Sequence, residues 1–223
     1  MTPGRSGAAA YAGANTASVD VDGISANIRG RLSAYLDLLA KWNLVYNLTA
    51  IRDRAQMDVQ HVNDALAVLP YLPHELNSRV LDVGSGGGVP GIPIAIARPE
   101  LHMTLLDSNR KKVAFLTQAA IELQLSNVRA IASRIEDLPQ SESFDVVISR
   151  AFSDLSTFAN LAAPHVAHDG LLMAMKGALP NDEIAALPPN VLVLRTPRLH
   201  VPGLAAERHL VVMRVNAGGN KQE

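Results

Sequence analysis

The chain has 223 residues, 48% of them apolar, enough for one sizeable hydrophobic core with a helical addition. Its 20 Lys and Arg are offset by 21 Asp and Glu, so no global positive field draws it to nucleic acid, and any RNA contact must be local. The absence of cysteine excludes disulfides, thiolate metal sites and a cysteine nucleophile, and no run approaches the roughly 18 apolar residues of a membrane span.

The N-terminus has no basic segment followed by an apolar run, and a cytoplasmic protein is expected. Residues 1–22, rich in Gly, Ala, Ser and Thr, read as a disordered tail. Ile24, Ile28, Leu32, Tyr35, Leu36, Leu39 and Trp42 then recur at three- and four-residue steps, which predicts a helix with one apolar face. A second helix is expected over 53–69, with Asp53 as its cap and Gln56 reaching back, before Pro70 and Pro73 break the pattern. These helices make an N-terminal extension over 23–76.

From residue 77 to 216 the texture is that of an α/β domain. Strand-like runs at 79–83, 102–106, 127–131, 144–148 and 170–175 are separated by helix-length segments, of which 111–125 and 154–168 read as crossovers. Two further runs, 190–194 and 209–215, read as a terminal antiparallel pair at the sheet edge. Residues 217–223 read as a flexible end.

The chemistry concentrates after the first strand, in Asp82-Val83-Gly84-Ser85-Gly86-Gly87-Gly88-Val89-Pro90-Gly91. Five glycines in eight residues let a backbone turn tightly and approach a ligand. A dinucleotide fingerprint starting at Gly84 needs a small residue at position 89, where Val89 stands, which disfavours an NAD-dependent oxidoreductase. An acid followed by G-x-G-x-G, here Asp82 with Gly84, Gly86 and Gly88, instead resembles the first motif of Rossmann-like methyltransferases. Asp107, at the end of the second strand, is placed to bond both hydroxyls of a ribose, or else to cap the helix that opens before Lys111. Neither a G-x-S-x-G elbow nor a G-K-[ST] phosphate loop is present. His165 and His168 lack further ligands nearby and read as solvent-facing helix residues rather than a metal site, and His61 and Asp64 can meet as a local pair.

Seven motifs in order resemble one family, the bacterial small-subunit (16S) ribosomal RNA guanine-N7 methyltransferases, the RsmG or glucose-inhibited division protein B family. They are Trp42-Asn43 with Asn47-Leu48-Thr49-Ala50; Asp82 to Gly86 running into Pro90-Gly91-Ile92-Pro93; and Leu105-Leu106-Asp107-Ser108 with Lys111-Lys112. Ser133-Arg134-Ile135-Glu136, Phe144-Asp145 with Ser149-Arg150-Ala151, Met175-Lys176-Gly177 and Glu207-Arg208-His209-Leu210 complete the set. The resemblance implies a Rossmann-like fold with a mostly parallel seven-stranded sheet and an antiparallel C-terminal strand. It implies S-adenosylmethionine (AdoMet) as cofactor, held by Gly84, Val89, the Ile135-Glu136 pair and Arg150, to which the glycine motif and strand end add Ser85, Gly86 and Asp107. Asn47, His61, Lys176 and Arg208 are its substrate-side candidates. No metal is expected, and the implied partner is 16S ribosomal RNA within the small subunit, with no stable protein partner. Where the family reads His-x-x-Asp-Ser, this chain has Ala65 after Asp64, so that serine hydroxyl is missing.

Guanine N7 has an in-plane lone pair and no proton, so direct in-line methyl transfer to it requires no general base. Arg52, Arg54, Arg195, Arg198 and Arg208, with Lys111 and Lys112, are the cations available for RNA phosphates, or simply solvated charges. A non-catalytic RNA-binding or assembly protein on the same fold is the alternative reading.

Overall fold

The computed structural model describes residues 24–150, 152 and 154–216; the tail expected over 1–22 and the end at 217–223 lie outside the described residues. Helix α1 (Ala26–Tyr46) begins where Ser25 Oγ accepts from Ile28 N and stops at Asn47, which turns left-handed at φ 50°. Its apolar stripe buries Leu32, Tyr35, Leu36 and Leu39. The next helical segment starts as the sequence predicts, with Asp53 Oδ1 accepting from Gln56 N at 2.8 Å.

That segment departs from expectation in its middle. Helix α2 (Arg54–Met57) passes into a π-helical stretch, Asp58–Asn63, before α3 (Asp64–Leu66). A π turn holds one more residue than an α turn and is seen mostly beside functional sites. The helix also ends at Leu66 rather than 69, because Pro70 takes an early position of a separate 3-10 turn, Leu69–Tyr71.

The sheet has seven strands: β1 (Arg79–Val83), β2 (His102–Asp107), β3 (Val128–Ala132), β4 (Phe144–Ser149), β5 (Val166–Lys176), β6 (Val191–Arg195) and β7 (His209–Val215). Their order is β3-β2-β1-β4-β5-β7-β6, parallel from β1 to β5, with β7 antiparallel to both neighbours. The terminal pair is thus built into the sheet through β7, with β6 outermost. The crossovers are α4 (Gly91–Ala97), α5 (Arg110–Glu122) and α6 (Leu155–Ala162), and a short α7 (Asn181–Ala185) precedes β6. The crossover expected over 154–168 stops sooner, since Pro164 cannot continue a helix, and β5 begins at Val166.

Side chains alternate across the sheet as the pleat requires. Val146, Ile148, Leu171 and Met173 join one apolar cluster with α1, α3, α4 and α5, while Val147, Leu172, Leu81 and Phe158 join a second beneath α6. Helix α4 shows no helical periodicity because Gly91 to Ile96 are all buried. A Cβ at Gly91 would strike the Leu105 side chain and stand 2.8 Å from Asp82 Oδ2. Gly91→Ala is therefore expected to cost about 1–3 kcal/mol of overpacking, read as a lower urea-unfolding midpoint at unchanged m-value.

Candidate active site

Strand register brings distant residues to one edge. Val83 pairs with Leu106, Asp107 with Ala132, Ser149 with Ala174 and Lys176 with His209. The ends of β1, β2, β4 and β5 therefore present Gly84, Asp107, Arg150 and Lys176 side by side, with Arg208 just before β7. The chain order reverses at β1, which has β2 on one side and β4 on the other, and such a switch point opens a crevice beyond the strand ends. From β2 to β5 is three strand spacings, roughly 14 Å, the reach of a nucleoside carrying an amino-acid arm.

The glycine loop is fixed from beneath. Gly84 N and Ser85 N donate to Leu106 O at 2.8 and 3.1 Å, and Gly86 N donates to Asp107 Oδ2 at 2.9 Å. Gly84 and Gly86 hold φ of 73° and 56°, where an L side chain is strained. A Cβ at Gly86 would meet only Gly84 O, at 3.8 Å, so the loop faces open space there. Ser85 turns inward: its hydroxyl is buried and donates to Asp82 O. Val89 is buried in the apolar cluster and donates its N–H to Ser85 O. The Tyr35 hydroxyl donates to Gly87 O at 2.6 Å, so the N-terminal helix grips the loop from the other side.

Two carboxylates lie under this loop. Asp82 is fully buried; Oδ2 accepts from Gly91 N at 3.1 Å and Oδ1 has no partner. Burial pushes its pKa up to about 7, against the pull of hydrogen bonds and of Arg150. Asp107 accepts from Gly86 N and Asn109 N, which leaves lone pairs for a diol. The α5 cap is Asn109, whose Oδ1 accepts from Lys111 N and Lys112 N, so Asp107 is not spent as the cap. Ile135 is buried at the 3-10 turn after β3, and Glu136 beside it is exposed.

The opposite end of the crevice holds the basic groups. A cavity of about 340 Å³ is lined by Gln60, Asp64, Arg150, Lys176, Gly177 and Arg208, with Ile51 and Met175 as its apolar wall. Arg150 Nη1 donates to Gln60 O at 2.8 Å and to Asp64 Oδ2 at 3.3 Å, and Arg208 Nε donates to Asp64 Oδ1 at 3.1 Å. Lys176 Nζ is held by Glu183 Oε2 at 2.7 Å and Phe152 O at 3.1 Å.

Of the substrate-side candidates, Lys176 and Arg208 line this cavity. His61 lies behind it, buried and bonded through Nε2 to Thr49 Oγ1 at 3.0 Å. The side-chain pairing of His61 with Asp64 is not made: the two meet through Asp64 N and His61 O, while the Asp64 carboxylate bonds arginines 86 and 144 residues away. Thr49 is in turn fixed by Asn43 Oδ1, so the Asn-Leu-Thr motif supports His61. Asn47 is the exposed helix end and accepts from Arg52. Asp64 stands in the sequence only as the acid of the His-x-x-Asp pattern, and nothing local marks its distant arginine partners.

The remaining histidine expectation is corrected. His165 is buried in a 3-10 turn with its ring nitrogens on Glu142 O and Ile135 O, while His168 lies exposed on β5. Among the described residues no group of acids and histidines could hold a metal ion. Arg54 pairs with Asp37, Arg198 with Glu207 and Lys112 with Asp107, and Arg195 stacks on Tyr71.

Comparison with known proteins points one way. The family model described as rRNA small subunit methyltransferase G matches residues 28–211. The ribosomal RNA small subunit methyltransferase G of Neisseria gonorrhoeae is 52% identical over 190 residues, 85% of this chain and 90% of that protein. That of Burkholderia multivorans is 50% identical over 204 residues, 90% of this chain and 89% of the other. Among solved structures, TrmN from Thermus thermophilus matches with a TM-score of 0.54 at 20% identity, over 68% of this chain. This chain spans about half of that protein, 48%, and the likeness is one of fold.

Two buried groups give opposite pH dependences. Burial and Arg150 lower the His61 pKa from 6.5 to about 4, so the unfolded chain takes up the proton first and stability is lost as pH falls through that range. Asp82 is raised from 3.8 to about 7, so its native form keeps the proton longer and stability is lost as pH rises through that range. Relative to the parent chain, Asp82→Asn should lose stability more steeply on acidification from pH 6.5 to 4, and His61→Gln more steeply on going from pH 4 to 7. Urea midpoints across this range check both slopes.

Proposed function

Since the chain belongs to the rRNA small subunit methyltransferase G family, we propose that it methylates N7 of one guanine in 16S ribosomal RNA by direct in-line transfer, without a general base. Methyl transfer from AdoMet to ribosomal RNA is the chemistry of that family. The carrying observation is the glycine loop, Asp107 and Arg150 standing side by side at the switch point, next to a cation-lined cavity.

The residues fit the cofactor. Asp82 Oδ1 is a buried acceptor without a donor, matched in charge to an α-ammonium, and Gly86 faces open space. Gly84, Ser85, Gly86 and Val89 would form the floor under it, Asp107 would take the ribose hydroxyls, and Ile135 with Glu136 would flank the adenine. Arg150 would hold the carboxylate, as a planar guanidinium suits two oxygens. When bound, AdoMet supplies a methyl group activated by its sulfonium.

The protein's part is positional. Lys176 and Arg208, with His61 behind them and Asn47 at the exposed end of α1, would align the target nucleotide so that N7 approaches in line, and alignment of this kind replaces acid–base chemistry. Guanine N7 is an acceptor with nothing to deprotonate, in keeping with a site that presents no catalytic dyad among the described residues. The substrate is 16S RNA within the small subunit, met in the cytoplasm; a near-balanced net charge favours a particle that contributes its own contacts. Among the described residues no helix is long and apolar enough to cross a membrane. The helical region over 23–76 serves as an extension to a methyltransferase domain over 77–216.

The test is radiolabelled AdoMet with small subunits from cells lacking the protein, followed by nuclease digestion and mass identification of the labelled nucleoside. Labelled 7-methylguanosine is expected, and Gly84→Leu, which forces a bulky side chain to φ 73°, should abolish it while the circular dichroism stays unchanged. Label in any other nucleoside would overturn the N7 assignment.

A further inference from the structure

Asp64 is one of the most deeply buried acids of the chain, 1% exposed, yet it belongs to neither the glycine loop nor the strand ends. Its two oxygens are divided between two cations, Oδ2 to Arg150 at 3.3 Å and Oδ1 to Arg208 at 3.1 Å. It comes directly after the π-helical stretch Asp58–Asn63, whose Gln60 carbonyl takes Arg150 Nη1 at 2.8 Å. The wide turn thus presents a carbonyl and a carboxylate to the same guanidinium.

Each arginine keeps donors beyond these bonds. A guanidinium has five N–H groups. The bonds of Arg150 use only Nη1, and those of Arg208 use Nε and Nη1, the latter on Glu207 O at 2.9 Å. Both side chains line the same cavity, where Gly177 leaves the wall low beside Arg208: a Cβ there would meet nothing nearer than 4.0 Å.

Resting on the reading of the chain as an RNA methyltransferase, we propose that Asp64 is a positioning residue for RNA. It holds Arg208, next to the Arg150 that would take the cofactor carboxylate, so that the remaining N–H groups of Arg208 point at a backbone phosphate next to the acceptor base. A fixed fork binds phosphate oxygens in pairs, whereas an unanchored arginine must give up side-chain freedom first.

The sign of one substitution separates this role from a mere charge. By the local field alone, removing a negative charge beside a phosphate site tightens RNA binding. Positioning demands the reverse. In filter binding to 16S RNA and to small subunits from cells lacking the protein, Asp64→Asn should weaken affinity about tenfold. It should also lower the salt slope by about one, as one lost phosphate contact does. Arg208→Gln should do the same, and the double variant should be little worse than either single one, the mark of a shared contact.

Binding by Asp64→Asn that equals or exceeds that of the parent chain, with the fold intact, overturns the proposal. Should Asp64→Asn fail to fold, Arg208→Lys decides, because it keeps the charge and loses the fork. About tenfold weaker RNA binding supports the role, and unchanged binding overturns it. A parent chain that neither binds nor methylates small subunits would bring down the functional reading as well, whereas one that does both while Asp64→Asn binds undiminished removes this proposal alone.

Discussion

The close approach of β1 to its own continuation is the constraint on which the rest hangs. The chain leaves the sheet after Val83, turns through the glycines and returns so that Gly91 N lies 3.1 Å from Asp82 Oδ2. That contact has no room for a side chain at Gly91, and it buries a carboxylate with one oxygen unsatisfied. A buried acceptor without a partner is costly. The fold carries that cost directly under the loop that faces the crevice.

From this point the sheet does the rest by register. Parallel strands carry their C-terminal ends to one side, so residues far apart in sequence become neighbours without any local motif. The same logic explains how a chain with balanced net charge concentrates cations. Arg150, Lys176 and Arg208 gather at one end of the crevice, each tied to an acid, either Asp64 or Glu183. Such pairing forgoes some positive field in exchange for fixed directions.

Much of this was legible in the sequence, for reasons that differ by element. The first helix, Arg110–Glu122 and the strands announced themselves by periodicity, and the glycine loop by a composition that a plain turn does not need. Gly91–Ala97 did not, because a helix buried on every side has no polar face to mark its period. The π stretch was illegible because no local preference sets it apart from an α turn. The role of Asp64 is hidden because its sequence neighbour His61 offers an obvious partner, while its actual partners lie just before β7 and just after β4. Asp107 illustrates an ambiguity only coordinates resolve, since cap and ligand-holder look alike until Asn109 is seen to occupy the cap.

The Tyr35 hydroxyl bond to Gly87 O joins two parts of the chain that sequence separates into an extension and a domain. Tyr35 is fully buried, and burial pushes its phenol above the ordinary range, which favours the neutral form that donates this bond. A ligand that favours the loop conformation accepting this bond also favours the helix that donates it, and the linkage runs both ways. By mass action, the thermodynamic reach of cofactor binding extends to the N-terminal helix. Protection of its backbone amides from solvent exchange becomes a remote gauge of whether the crevice is filled.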